Sequence, residues 1–510
     1  MKLSAVAKIL LAFRVLRGNG EDHGGEECTF GRLFISDLNT TTIRVYNLDE
    51  ESLTDLVSEA SITVPGGPGQ ALDSSHDSLH VISSFWGTSS LFLADGVVSM
   101  ISTGVSMQEH GDHSHLEIID PYLYENGNHN CGPVYHSSSH AGLTVMFCDG
   151  SYTATPQRNT TVTVFDESLL GTGVEAKVAH YTLPGTHHGM AVAVERGHIL
   201  HSLATQERID RIPGASSLPN TFQVVDYKGE VLHSFTDLTD THKHCKMMHG
   251  SSSTSGVFVL GCGIHGLLAI KYNDVTKTYS SNAIRYPTLH AMAGYRTGTL
   301  HYNEKSDILV GNFNTNNITL DVYLIAVHES ATQVMESNML NLGSNGIYST
   351  SCPRGFEMAE AKMFVMIMPT GLVRVYSVDK GWNLLAEKQV VPNMVSCTGV
   401  SLITGYFKAF ISNEQTKKLY TLSLHEVMEG IIGVEETDLG FHPKSMVVAG
   451  VPDGAYCDPR SKPTLPPTAA PTKAPTKAPT KRPSKKPTKR PSKKPVKKPT
   501  KKPTKIRIRH

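Results

Sequence analysis

Between residues 28 and 457 the chain shows few helical patterns; short β-rich runs recur instead, and they recur in pairs. GRLFISD is followed by TTIRVYNL, LHVISSF by SLFLADG, LTVMFCDG by VTVFDES, and HILHSLA by TFQVVDY. VFVLGC then precedes LLAIKY, DILVGNF precedes LDVYLIAV, MFVMIM precedes LVRVYSV, and KAFISN precedes KLYTLSL. Gly, Asn, Asp and Ser separate the members, the punctuation of antiparallel strands joined by turns. Consecutive pairs begin about 40–60 residues apart, the period of a propeller blade with insertions. A sandwich needs far fewer strands, and the length suits radial repetition. The pattern predicts an all-β fold, a β-propeller of eight blades with seven as the alternative count.

The cysteines sharpen this repeat. CGPVYHSSSHAGLTVMFC (131–148) and CKMMHGSSSTSGVFVLGC (245–262) share a 17-residue offset between cysteines, a Ser-Ser-Ser six residues after the first, and a glycine at offset eleven. That internal repeat places each pair on neighbouring strands of one blade and predicts disulfides Cys131–Cys148 and Cys245–Cys262. Cys352 and Cys397 open adjacent blades and are the expected third pair. Cys28 with Cys457 would join the two ends of the body. Eight cysteines without any C-x2-C spacing argue for disulfides rather than structural zinc.

Composition then divides the chain. It has 510 residues, 39% hydrophobic and 18% charged, enough for a full-sized core. The formal net charge of zero conceals an asymmetry. Residues 460–510 hold 19 of the 47 Lys and Arg and no acid, so residues 1–459 carry 28 basic against 47 acidic residues. In this tail, within 458–510, proline recurs every three or four residues, which forbids helix and sheet ladders, and the like charges repel. The tail is expected to be extended and disordered, either a solubilising stalk or an anchor to anionic polysaccharide, mineral or membrane. Its basic residues lack interleaved aromatics and the body is acidic, so nucleic acid is not an expected partner.

At the other end, residues 1–20 have a basic start and a short apolar run that reads as a secretory signal; an acidic segment, EDHGGEE, fills 21–27. The run is too short to span a bilayer, and there is no other membrane segment. Sequons at Asn39, Asn159 and Asn317 also point to export. The expected product is a secreted or cell-wall-associated monomer with its propeller over 28–457.

Histidine carries the candidate chemistry, with 25 in the chain. If the first strand of each blade lines a central channel, four successive blades present histidine at comparable positions. These are His136 and His140 in VYHSSSHAG, His187 and His188 in THHGMAVAV, His249 in MMHGSSS, and His301 in RTGTLHYN. EHGDHSH (109–115) is expected in the connection leading to the third blade, folded over the same channel mouth. Imidazole nitrogen with an occasional carboxylate is the ligand set for Zn²⁺, and Cu²⁺ or Ni²⁺ accept similar donors. Glu109, Asp112 or Glu117 could supply the carboxylates that orient such rings.

EHGDHSHLE, HHGMAV, CKMMHGSSSTSGVFVLGCGIHGLLAI and YRTGTL resemble the AztD-type zinc metallochaperones, over most of 28–450. Those are exported bacterial propeller proteins that hand zinc to the solute-binding protein of a zinc transporter. The resemblance implies a zinc-binding, non-enzymatic propeller that stores, scavenges or delivers the ion, with a metal-accepting transport protein as partner. It marks His113, His115, His188 and His249 as foremost ligands, with His136 and His301 next; beside them, Glu109 and Asp112 read as orienting groups. EDHGGEE, with its single His23, stands where the family has a longer histidine-rich segment. Two rivals are a metal-dependent propeller hydrolase or lactonase, for which no G-x-S-x-G nucleophile motif is present, and a wall or mineral-binding module anchored by the tail.

Overall fold

The computed structural model describes most of residues 29–450; outside it lie 1–28, 451–510 and the stretches 50–57, 76, 86–95, 111–112, 132–133, 151–157, 196, 236–244, 255–256, 264–265, 286–295, 304–307, 316–318, 327–338, 342–351, 353, 358–362, 378–381 and 406–407. The chain divides into two units, Met1–Lys462 and Pro463–His510, the second wholly outside the described residues. The predicted signal, the 21–27 segment and the tail therefore cannot be placed, and neither can Cys28 or Cys457.

The first unit is all-β. Its described residues form eight four-stranded antiparallel sheets. The first joins Ser58–Thr63, Thr42–Asp49 and Thr29–Asp37 to the last strand of the chain, Pro443–Ala449. The second is Ala71–Ser74, His80–Ser84, Gly96–Ser102 and Tyr122–Cys131; the third is Val134–His140, Leu143–Cys148, Thr161–Asp166 and Lys177–Thr182. The fourth is Ala191–Glu195, His198–Leu203, Thr221–Val225 and Val231–Phe235, and the fifth Ser251–Thr254, Val257–Gly261, Gly266–Asn273 and Thr278–Arg285. The sixth is Arg296–Asn303, Ile308–Thr315, Thr319–Ala326 and Met339–Asn341, and the seventh Arg354–Glu357, Met363–Ile367, Leu372–Ser377 and Asn383–Gln389. The eighth is Val400–Gly405, Lys408–Asn413, Lys418–Ser423 and Gly433–Asp438.

The sequence pairs are the two middle strands of these sheets, and burial explains why they stood out. Leu143–Cys148, Met363–Ile367 and Lys408–Asn413 are buried at every position, and for the first and third of these a neighbouring sheet covers each face. One pair is misplaced: the partner of His80–Ser84 is Gly96–Ser102, with Ser84 opposite Val98, and SLFLADG falls mainly in 86–95.

Packing runs sheet against sheet. Ile82 and Met100 of the second meet Met146 and Phe165 of the third. Val145 and Val164 of the third meet Ala193 and Ile199 of the fourth, and Leu200 and Phe222 of the fourth meet Phe258 and Ile270 of the fifth. Val365 of the seventh packs with Ile411 of the eighth, and Phe410 of the eighth with Leu33 of the first. Phe34 of the first packs with Val81 of the second. Burying one such side chain is worth about 1.5–3 kcal/mol, so these seams are the main source of stability. The last strand inserts its Val447 opposite Phe34 and thereby ties the two ends of the body by backbone pairing.

Cys245–Cys262 and Cys352–Cys397 are disulfides, as expected, and Cys148 is disulfide-bonded; the side chain of its expected partner, Cys131, lies outside the described ones. Their setting differs from the sequence reading. Cys131 ends the last strand of the second sheet and Cys148 the second strand of the third, while Cys245 and Cys262 flank strands rather than lie within them. The Cys245–Cys262 bridge clamps the segment leading into a first strand against the end of the second strand, which matters for the histidine carried on that segment.

EHGDHSH is also placed differently. Val105–His110 and His113–Ile118 form a two-stranded hairpin inserted before the last strand of the second sheet, with His110 opposite His113 and Gln108 opposite His115. Period-two alternation around Gly111-Asp112, a dipeptide suited to two-residue hairpin turns, is the physical reason. Among the described residues no helix is long and apolar enough to cross a membrane.

Candidate metal centre

Three of the expected histidines come together at the end of the sheets where first strands begin, here called the upper end. His136 stands near the start of Val134–His140, opposite Phe147. His188 precedes Ala191–Glu195, its backbone held by the Ser217 carbonyl at 2.8 Å. His249 precedes Ser251–Thr254, its N–H donating to Gly261 O at 2.9 Å. The ring centroids of His136 and His188 are 5.0 Å apart, and those of His188 and His249 are 5.6 Å apart. Two imidazoles on one tetrahedral zinc, with bonds of about 2.0–2.1 Å, have centroids roughly 5.2 Å apart. Both centroid spacings are close to that value, and the three rings come from three successive sheets.

Local sequence builds each position. In H-H-G the two histidines part company. His187 is only 2% exposed, with Nε2 3.0 Å from Ser202 Oγ, Nδ1 3.3 Å from Thr160 Oγ1, and its ring edge-on to Phe147. It is a core residue that pins the segment, so that His188 faces the cluster. Gly189 follows because a Cβ there would sit 2.0 Å from Ser202 Oγ. In C-K-M-M-H-G, the Cys245–Cys262 bridge, Met248 N–H to Pro219 O and Gly263 N–H to Lys246 O fix the loop that ends in His249.

Asp149 completes the arrangement. It follows Cys148 at the upper end, and its Oδ2 lies 2.9 Å from His188 Nδ1. A carboxylate there holds the proton on Nδ1 and leaves Nε2 to bind. Burial pushes the Asp149 carboxyl up to about 6, with the His188 contact pulling the other way. Burial, then the neighbouring His188 and His249, push His136 down to about 4, so it is neutral and able to ligate at neutral pH. The donor set fits zinc: three imidazoles, one already oriented by a carboxylate whose other oxygen, Oδ1, is buried without a hydrogen-bond partner among the described residues.

The other expected residues lie elsewhere. The hairpin bearing Glu109, His113 and His115 leaves the lower end of the second sheet, where Thr103 N–H meets Leu79 O and Ile119 N–H meets Gly104 O. The side chains of Glu109, His113, His115 and Glu117 are outside the described ones, as is all of Asp112. His301 occupies the first strand of the sixth sheet, opposite Val310, and its side chain too is not described. His140 lies at the lower end, edge-on to Phe258 at 5.8 Å. Asn39 and Asn159 are exposed in turns, open to a glycan; Asn317 is outside the described residues. Sequence reasoning missed Asp149, whose signal was its place directly after the second cysteine of the repeat.

No family model matches the chain. Among curated proteins it is 24% identical over 319 residues to the zinc chaperone AztD of Citrobacter koseri, a match spanning 62% of this chain and 64% of the relative. The crystal structure of Citrobacter koseri AztD superposes with a TM-score of 0.66 at 19% identity, covering 84% of this chain and 100% of that one. The apo AztD structure gives 0.64 at 19% identity, covering 83% and 99%. The chain is homologous to AztD. The AztD structures share its all-β fold of antiparallel sheets, and at that identity they speak to fold alone. The named relative is a zinc chaperone rather than an enzyme, in agreement with the non-enzymatic reading.

Proposed function

We propose that this protein is a zinc-binding, metallochaperone-like propeller that holds the ion as cargo between His136, His188 and His249 and passes it to an acceptor. The observation that carries the reading is the convergence of three imidazoles from three sheets, with Asp149 fixing the tautomer of one. Three protein ligands leave a fourth zinc position open. An incoming donor group from an acceptor protein could occupy it before the histidines let go, a suitable geometry for transfer by ligand exchange. Similarity to the AztD zinc chaperone supports zinc over copper or nickel as the native ion.

The reading extends to the architecture. Eight four-stranded sheets following one another along the chain, with the last strand of the body completing the first sheet, support an eight-bladed ring closed by that strand. The paired cysteines, the signal-like N-terminus and exposed Asn39 and Asn159 support export, with the basic tail as a tether to an anionic surface. Elemental analysis of the full chain purified without chelator tests the core of the proposal. About one zinc per chain should be lost in the double variant His136→Ala/His249→Ala, and unchanged zinc content would show the assignment to be wrong.

A further inference from the structure

A second cluster lies at the lower end, across the seam between the second and third sheets. Asp77 is in the turn before His80–Ser84, His80 opens that strand, and Glu167 follows Thr161–Asp166 of the third sheet. One donor atom from each of Asp77, His80 and Glu167 lies within 4.8 Å of the others, and His80 Nε2 is 3.9 Å from Asp77 Oδ2. We infer that Asp77, His80 and Glu167 form a second divalent-cation site, separate from the three-histidine cluster.

Each donor is oriented by its own partners. Tyr124 Oη lies 3.0 Å from His80 Nδ1, which turns Nε2 toward Asp77. Asp77 Oδ1 accepts from Ser75 Oγ at 2.5 Å and Leu79 N–H at 2.9 Å, leaving Oδ2 on the side of His80. Glu167 Oε1 accepts from Ser139 Oγ at 2.5 Å and Thr144 Oγ1 at 2.6 Å. Hydrogen-bonded carboxylates and a histidine with its second nitrogen engaged are the supports that metal ligands receive. Burial lowers the pKa of His80, which keeps it in the neutral, ligating form.

The seam is built to hold still. Asn126 Nδ2 donates to Leu169 O and Val174 O, which binds the segment after Glu167 to the last strand of the second sheet. Leu170 packs with Tyr124 and Met146 in the shared core. Glu167 is 5% exposed and the His80 side chain 12%, whereas the Asp77 side chain is 42% exposed and gives a path for the ion. Donor atoms on tetrahedral zinc are roughly 3.3 Å apart, from bonds of about 2.0–2.1 Å. The 3.9 Å gap thus closes with small rotations of exposed Asp77. One imidazole and two carboxylates suit Zn²⁺ or Mn²⁺, and bind zinc less tightly than three imidazoles. Because His80 and Glu167 belong to different sheets, the ion would cross-link them and stabilise the seam.

The test is zinc and manganese titration of the chelator-stripped full chain by calorimetry, with thermal melts alongside. It uses a His188→Ala/His249→Ala background, so that failure of the upper site does not obscure the lower one. That background should bind one ion and melt at higher temperature when it is present. Adding Asp77→Asn should weaken binding at least tenfold and abolish the melting shift, and so should Glu167→Gln. The amide introduced by Asp77→Asn keeps an acceptor for Ser75 and Leu79, and an unchanged metal-free melt checks that the variant folds. Undiminished binding with Asp77→Asn, or no binding in the background protein, would overturn the inference.

Discussion

Asp149 Oδ2 lies 2.9 Å from His188 Nδ1, at the ends of two different sheets, and this contact decides which nitrogen of His188 faces the other two rings. Asp149→Asn keeps the size and an oxygen acceptor, but an amide orients and polarises the ring less. Zinc affinity should fall about 10–100-fold, the usual cost of losing such a partner, while the fold persists. Competition with a zinc-binding dye gives the number; affinity unchanged within twofold would show that Asp149 does not support the ligand.

His187 and His188 are adjacent yet should fail in opposite ways. His187→Ala removes a buried ring and its contacts with Ser202 and Thr160, so about 2–4 kcal/mol of stability should be lost. His188→Ala should change stability by under about 1 kcal/mol, because its ring is partly exposed, but remove most zinc binding. Urea denaturation and zinc titration of both variants separate the roles. A reversal of the two phenotypes would exchange the assignments.

Acid should weaken the metal-free protein well above the carboxylate range. Burial lowers His136 and His129 to about 4 and His187 to about 3, against an ordinary value of 6.5. As pH falls below 6.5 the unfolded chain takes up these protons and the folded chain does not, so stability drops until the folded values are reached. At about 1.4 kcal/mol for each tenfold change in proton affinity, His136 and His187 each contribute about 3 kcal/mol by pH 4, and half-buried His129 contributes less because solvent screens it. Asp149, raised to about 6, works the other way between 6 and its ordinary 3.8, because the folded state takes up its proton first. Urea midpoints from pH 7 to 4 should decline, with a shallower slope in His187→Gln; a flat profile would contradict the buried neutral histidines.

The middle strands were legible because covered on both faces they are continuous apolar runs: LTVMFC and MFVMI cannot be mistaken for loop. First and last strands were not. VYHSSSH and SSST are polar along their length, and NLLAEKQ and GVEETD are exposed edge strands whose charges deter further pairing. Recurrence of histidine near first-strand starts singled out His136, His188 and His249 among others, and repeated architecture brings these three positions to one end. What that repetition could not convey is direction within an insertion. A residue between the third and fourth strands of a sheet sits at the opposite end from one before the first strand, and EHGDHSH is such an insertion.

That direction yields the last prediction. The hairpin is rooted at the lower end by Thr103, Gly104 and Ile119, while the three rings stand at the upper end. His113→Ala/His115→Ala should therefore leave the tight zinc site within twofold of the parent affinity, and His136→Ala/His249→Ala should lower it by at least 100-fold. The readout is taken at pH 8, above the ordinary imidazole value of about 6.5, where proton competition for histidine ligands is small. If instead the hairpin variant loses the tight site and the His136/His249 variant keeps it, zinc is held at the lower end and the three upper histidines are a packing cluster.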